Sequence, residues 1–133
     1  MSALVQTQPL PSFDGVSPRD ALRGAFLIFD AWKLSGEDAR LLLGAPPERT
    51  FYAWKKGEAA RLSHDTLRRI GYIAGIFKAL QILYTNQALA DGWLTRPNRA
   101  FGDRPPLDRL RGGDVTDLAA VRAYLDAARA PWS

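Results

Sequence analysis

The chain has 133 residues, with 18 lysines and arginines against 14 aspartates and glutamates, one histidine and no cysteine. This length supports one domain, or two small ones that share a core, and a 47% hydrophobic content is ordinary for a globular protein. Without cysteine there is no disulfide framework, zinc-finger thiolate set, iron–sulfur ligation or thiol nucleophile, and a single histidine excludes a His-rich metal site and leaves His64 as the one base for a Ser–His–Asp device.

Residues 1–16 show no basic region followed by a long apolar core, so they do not read as a secretory signal. Pro9 and Pro11 among polar neighbours predict an extended arm. Ser17-Pro18-Arg19-Asp20 is a helix start, with Ser at the N-cap, Pro at the first helical position and Asp in the first turn. Leu22, Phe26, Phe29 and Trp32 follow at helical spacing on one face. Ser35-Gly36-Glu37-Asp38 opens a second, short helix that carries Leu41, Leu42 and Leu43 and stops at Gly44.

Beyond Ala45-Pro46-Pro47, residues 48–56 predict a third helix that ends at Gly57. Ser63 and Asp65 cap a long helix that runs to about Tyr84. From Ile70 its only charge is Lys78, and apolar residues lie on all sides. It must be covered all round, either between two halves of the chain or at a homodimer seam, and the dimer is the preferred assembly. The apolar stretch Ile70–Leu83 is shorter than the ~20 residues of a membrane span, so the expectation is a cytoplasmic protein with no membrane partner. Leu89, Trp93 and Leu94 anchor a short element, residues 96–106 are a turn-rich surface loop, and Pro106–Leu110 is a short helix stopped by Gly112-Gly113. Thr116 caps a final helix with Leu118, Val121, Tyr124 and Leu125 inward and Arg122, Asp126 and Arg129 outward. No strand-type alternation occurs, and the fold class is all-α.

Residues 35–57 are two short helices joined by a tight turn, the second of them basic. From Lys33 to Arg69 eight basic residues face five acidic ones, most of the chain's net charge of +4. A recognition helix needs an apolar side to seat on its own domain and a polar side to enter the major groove. Phe51 and Trp54 suit the seat, and Tyr52 lies nearly opposite Trp54. Arg49 stands near the helix start, where a guanidinium can pair with guanine. Thr50 and Tyr52 can touch phosphates or thymine methyls, and Lys55, Lys56 and Arg61 suit phosphates. A pair of short helices with a solvated basic face accounts for the same residues.

The order of parts is informative. Residues 34–44 with Thr50-Phe51-Tyr52-Ala53-Trp54-Lys55-Lys56-Gly57 precede a long apolar helix. The series Gly92-Trp93-Leu94, Pro97-Asn98-Arg99-Ala100-Phe101-Gly102, Pro106-Leu107-Asp108, Leu110-Arg111-Gly112-Gly113 and Leu118–Leu125 then follows. This resembles the Xre/MbcA/ParS antitoxin family, from Pro18 to the C-terminus. It departs at Arg104-Pro105-Pro106, where the family often carries Gly before the Pro-Leu pair and the extra proline stiffens the loop.

The resemblance implies an Xre-like helix-turn-helix domain over 17–69, a central or dimerisation helix over 70–85 and a toxin-binding domain over 86–133. It implies a type II antitoxin whose partner is a RES-domain toxin that degrades NAD or transfers ADP-ribose from it. The C-terminal region would cover the toxin's active site, and the N-terminal domain would dimerise on operator DNA and repress its own operon. Expected toxin contacts are Arg109, Arg111, Gly112, Gly113, Arg122, Asp126, Arg129, Trp132 and Ser133. Trp132 either enters the partner's pocket or folds back on its own domain, and Gly112-Gly113 serve as a helix stop before they serve as a surface. Trp93, Phe101, Leu107, Leu110 and Val121 are the expected core of the C-terminal bundle.

Two other readings stand beside this one. The first is a helix-turn-helix transcriptional regulator without a toxin partner. The second is a small enzyme built on Ser63, His64 and Asp65. Helix capping explains Ser63 and Asp65, and no G-x-x-x-x-G-K-[ST] phosphate loop occurs, so the expectation is a non-enzyme with no cofactor and no metal.

Overall fold

The computed structural model describes residues 16–129. Within them the chain forms α1 (Pro18–Ala31), α2 (Gly36–Leu42), α3 (Glu48–Lys55), α4 (His64–Leu83), α5 (Gln87–Asp91), α6 (Pro106–Leu110) and α7 (Val115–Arg129), with 3-10 turns at Trp93–Thr95 and Arg99–Phe101. The described residues contain no strand, and the all-α expectation holds.

Local chemistry sets the helix starts. The hydroxyls of Ser17, Ser35 and Ser63 each accept from the backbone N–H three residues on, at 3.1 Å, which satisfies a donor the helix cannot use internally. Between α2 and α3 the chain reverses through two left-handed residues, Gly44 at φ 96° and Ala45 at φ 55°. Arg40 Nη1 donates to the carbonyl of Pro46 at 2.8 Å and closes that turn. The start of α7 differs from expectation: the cap is Asp114, not Thr116. Its carboxylate accepts from both the amide and the hydroxyl of Thr116. A carboxylate one residue outside the helix reaches these donors, whereas a side chain already inside it does not.

Helix α4 is the spine. It packs against α1, α5 and α7. Ile70, Ile73, Ile76, Ala79 and Leu80 are fully buried along it, with Leu22 and Phe29 from α1, Leu118, Val121 and Leu125 from α7, and Leu94 and Leu110 between. Burying each large aliphatic side chain is worth about 1.5–3 kcal/mol relative to exposure. The apolar belt of α4 is thus covered largely by its own chain, and it does not require a second copy. Of its large apolar residues only Ile82 stands exposed.

The division drawn between residues 69 and 70 falls inside one continuous helix. Arg69 is itself buried there, donating to Asp65 at 2.8 Å and to the carbonyl of Gly113 at 2.9 Å. Leu89 is exposed and Ala90 takes the interior position; a five-residue helix presents only one inward residue, and here it is the small one. The loop over 96–106 is ordered by an isolated bridge between Asn98 and Arg104, with Gly102 and Asp103 both left-handed. Pro106 occupies the first turn of α6, where its missing N–H removes no bond.

Candidate nucleic-acid and partner-binding surfaces

Helix α3 is seated by Phe51, whose ring lies 5.5 Å from that of Phe26 on α1, and by half-buried Trp54. Tyr52 is 58% exposed on the outer side. Arg49, Lys55, Lys56 and Arg61 are all exposed and Thr50 is half-buried. Five of the six residues chosen from the sequence are thus exposed and Thr50 is half-buried, while Phe51 goes to the core.

The basic side chains differ in their partners. Arg40, Arg69, Arg104, Arg109, Arg111, Arg122 and Arg129 each have a carboxylate within 4.0 Å. Among the described residues Arg49, Lys55, Lys56 and Arg61 have none. The outer part of the helix-turn-helix thus presents four cations with no carboxylate within 4.0 Å among the described residues, a feature compatible with an anionic partner.

The same region contains a cleft that the sequence does not display. Arg19 and Arg23 of α1 line it together with Lys55, Lys56 and Gly57 from the end of α3. Gly57, at φ 79°, lets the chain turn so close to α1 that an added Cβ would lie 3.2 Å from Arg19 Cγ. Only the packing of α1 on α3 joins residues more than thirty positions apart, so spacing carried no signal for Arg19 or Arg23.

In the C-terminal half an aromatic cluster sits at the surface. The ring of Tyr124 stacks on Trp93 at 6.0 Å and 23°, and Phe101 meets both edge-on. Tyr124 was expected inside; it is 37% exposed and roofs buried Trp93 instead. Beside it runs an open groove lined by Phe101, Arg104, Asp108, Arg109 and Tyr124.

The sites expected to meet a toxin separate into two groups. Arg109 and Arg111 are at the surface, as expected, but each is held. Arg109 Nε donates to Asp117 at 2.8 Å. Arg111 makes a two-point contact with Asp38 of α2, both bonds at 3.0 Å, and a third with Asp108. That hydrogen bonding to Asp38 raises the Arg111 pKa above its ordinary value. Gly113 is left-handed at φ 77°, and a Cβ on Gly112 would overlap the Asp117 carboxylate, so both glycines build the turn.

Arg122, Asp126 and Arg129 do not point outward. Arg122 is 5% exposed, its Nε donates to both oxygens of Asp126 at 3.1 Å, and Arg129 lies 3.7 Å from Asp126. The reason is space: Gly75 on α4 leaves a gap that the Arg122 guanidinium fills. Trp132, Ser133 and the arm over 1–15 lie outside the described residues. Among the described residues no group of His, Asp or Glu could hold a metal ion, and no helix is long and apolar enough to cross a membrane.

Residues 21–75 match the antitoxin Xre-like helix-turn-helix domain, and residues 79–130 match the antitoxin Xre/MbcA/ParS C-terminal toxin-binding domain. The chain belongs to the Xre/MbcA/ParS antitoxin family. A relative in Sinorhizobium fredii (strain NBRC 101917 / NGR234), described as uncharacterized protein y4oB, is 43% identical over 119 residues, which span 90% of this chain and 92% of that one. The two matched domains meet between residues 75 and 79, inside α4.

Proposed function

We propose that this family member is the antitoxin of a type II toxin–antitoxin pair. It binds a RES-domain toxin that consumes NAD, by degrading it or by transferring ADP-ribose from it, and covers the toxin's active site with its C-terminal region. It also binds operator DNA through α3 and represses its own operon. The observation that carries this reading is the succession, on one chain, of a helix-turn-helix with unneutralised outward cations and a matched toxin-binding domain.

Arg49 reads bases, Thr50 and Tyr52 contact sugar, phosphate or methyl groups, and Lys55, Lys56 and Arg61 hold phosphates. Arg109, Arg111, the Gly112-Gly113 turn and the tail residues Trp132 and Ser133 are the proposed toxin contacts. Arg122 is buried against Gly75, and half-buried Asp126 and Arg129 are tied to it, so these three are not among the proposed contacts. Repression by one small module is weak because it covers little DNA, so two copies at matched half-sites are required.

The test is co-expression with the adjacent RES-domain protein, followed by co-purification and measurement of cellular NAD. The expected result is a stable complex and preserved NAD, both lost when the C-terminal residues from 130 onward are deleted. If the neighbour is neither bound nor restrained while DNA binding persists, the chain is a helix-turn-helix regulator without a toxin.

A further inference from the structure

The cleft between α1 and the end of α3 gathers Arg19, Arg23, Lys55 and Lys56 over Phe26 and Trp54, and Asp30 is the one carboxylate in its lining. Among the described residues none of these four cations has a carboxylate within 4.0 Å, unlike the seven arginines paired elsewhere. We propose that this cleft is a phosphate clamp for duplex DNA, in which Arg19 and Arg23 of α1 join Lys55 and Lys56 on the backbone bordering the groove that α3 enters. The proposal rests on α3 being the reading helix and adds to it a second element and a second strand contact.

Like charges confined to one cleft repel each other, and the repulsion is relieved by a polyanion rather than by water alone. Guanidinium groups suit phosphate because they can donate two parallel bonds. The spacing also fits. Lys56 follows Arg49 by seven residues, a rise of about 10 Å along the helix and nearly in line with it. The major groove is about 12 Å wide between its phosphate ridges. With Arg49 at base edges, the end of α3 stands nearer the flanking phosphates, and the cleft lies at that end. Duplex DNA is favoured over an acidic protein surface because Lys55 and Lys56 belong both to the exposed cations proposed to meet DNA and to the cleft.

The experiment is a salt titration of the full chain on duplex DNA from its own promoter region. Wild type is compared with Arg19→Ala/Arg23→Ala, with Arg19→Lys/Arg23→Lys, and with Arg99→Ala as a loss of one exposed cation in the C-terminal half. The expected result is that the alanine pair lowers the slope of log K against log salt by about 0.9 for each phosphate contact removed, while sequence preference is kept. The lysine pair holds the slope and Arg99→Ala leaves it unchanged. Thermal melts confirm that each variant is folded.

An alanine pair that is folded and has the wild-type slope overturns the clamp and leaves α3 as the reading helix. The same outcome with toxin binding lost assigns the cleft to an acidic protein surface, and it too overturns the proposal. Wild type that fails to bind duplex DNA even at low salt overturns the clamp and the DNA half of the proposed function together.

Discussion

Gly75 of α4 and Arg122 of α7 occupy one space: a Cβ on Gly75 would overlap Arg122 Nη1 and lie 2.8 Å from its Cζ. The guanidinium is the flexible end of a side chain, but it is 5% exposed and engaged by Asp126, so it has no open direction to retreat. Gly75→Ala is therefore expected to destabilise by about 1–3 kcal/mol through overpacking, despite the ~1 kcal/mol gain in helix propensity. Gly24 of α1 is the contrast, since nothing lies within 4 Å of its added Cβ. Gly24→Ala is expected to stabilise by about 0.4–1 kcal/mol. Denaturant titration of the two variants should give opposite signs for the same chemical change.

The pair between Arg111 and Asp38 joins the toxin-binding half to α2. Asp38 is buried and Arg111 is half exposed. Removing Arg111 leaves a mostly buried carboxylate without its two-point donor. Solvent screening reduces the effect below that of a fully buried pair, so Arg111→Ala is expected to cost about 1–2 kcal/mol. A double-mutant cycle with Asp38→Asn should return most of this as coupling. If Arg111→Ala also weakens toxin binding, the Asp38→Asn variant separates the roles, because it weakens the tie to α2 while keeping the guanidinium and its bond to Asp108.

The C-terminal core predicts an indirect effect on the partner. Leu118→Ala removes a side chain that is 1% exposed between α7 and α4, and it is expected to destabilise by about 2–5 kcal/mol. Toxin capture should fall in proportion to the unfolded fraction and recover on cooling, as measured by co-purification at two temperatures.

The Asp114 carboxyl is held below the usual carboxylate range, first by the Thr116 hydroxyl and then by the Thr116 amide. A folded-state pKa below the unfolded one means that the ionised group adds stability above the ordinary carboxylate value. That contribution is lost as pH falls through the depressed folded value. Carboxyl NMR titration should place Asp114 below the ordinary carboxylate value, and Thr116→Val should move it upward.

On DNA, Arg49→Ala is expected to relax sequence preference, and Lys55→Ala to weaken binding evenly across sequences with a shallower salt slope. Competition binding against mutated half-sites checks both. Unchanged binding in the two variants would remove α3 as the reading helix.

Features set by chemistry within a few residues were legible in the sequence. Ser17, Ser35 and Ser63 cap as expected because the capping bond spans three residues, and the outward set on α3 follows from seating Phe51. Long-range geometry was not legible. Arg122 and Asp126 read as a solvated face because charge usually marks one, and only the gap at Gly75, 47 positions earlier, shows otherwise. The cap at α7 was misplaced by two residues, since Asp114 and Thr116 offer equivalent oxygens. Arg19 entered the sequence reading only as part of a helix start, and its place beside Lys55 depends on how α1 crosses α3.

Because α4 supplies interior side chains to α1 on one side and α7 on the other, the two halves of this protein cannot be traded as cassettes. A chimera cut at the junction of the matched regions would divide a single rod whose ends are each wedged into the opposite partner. Exchange among relatives is thus expected to preserve α4 together with the surfaces of α1 and α7 that grip it, so that new DNA or toxin specificities arise by substitution on the outer faces rather than by recombination of modules.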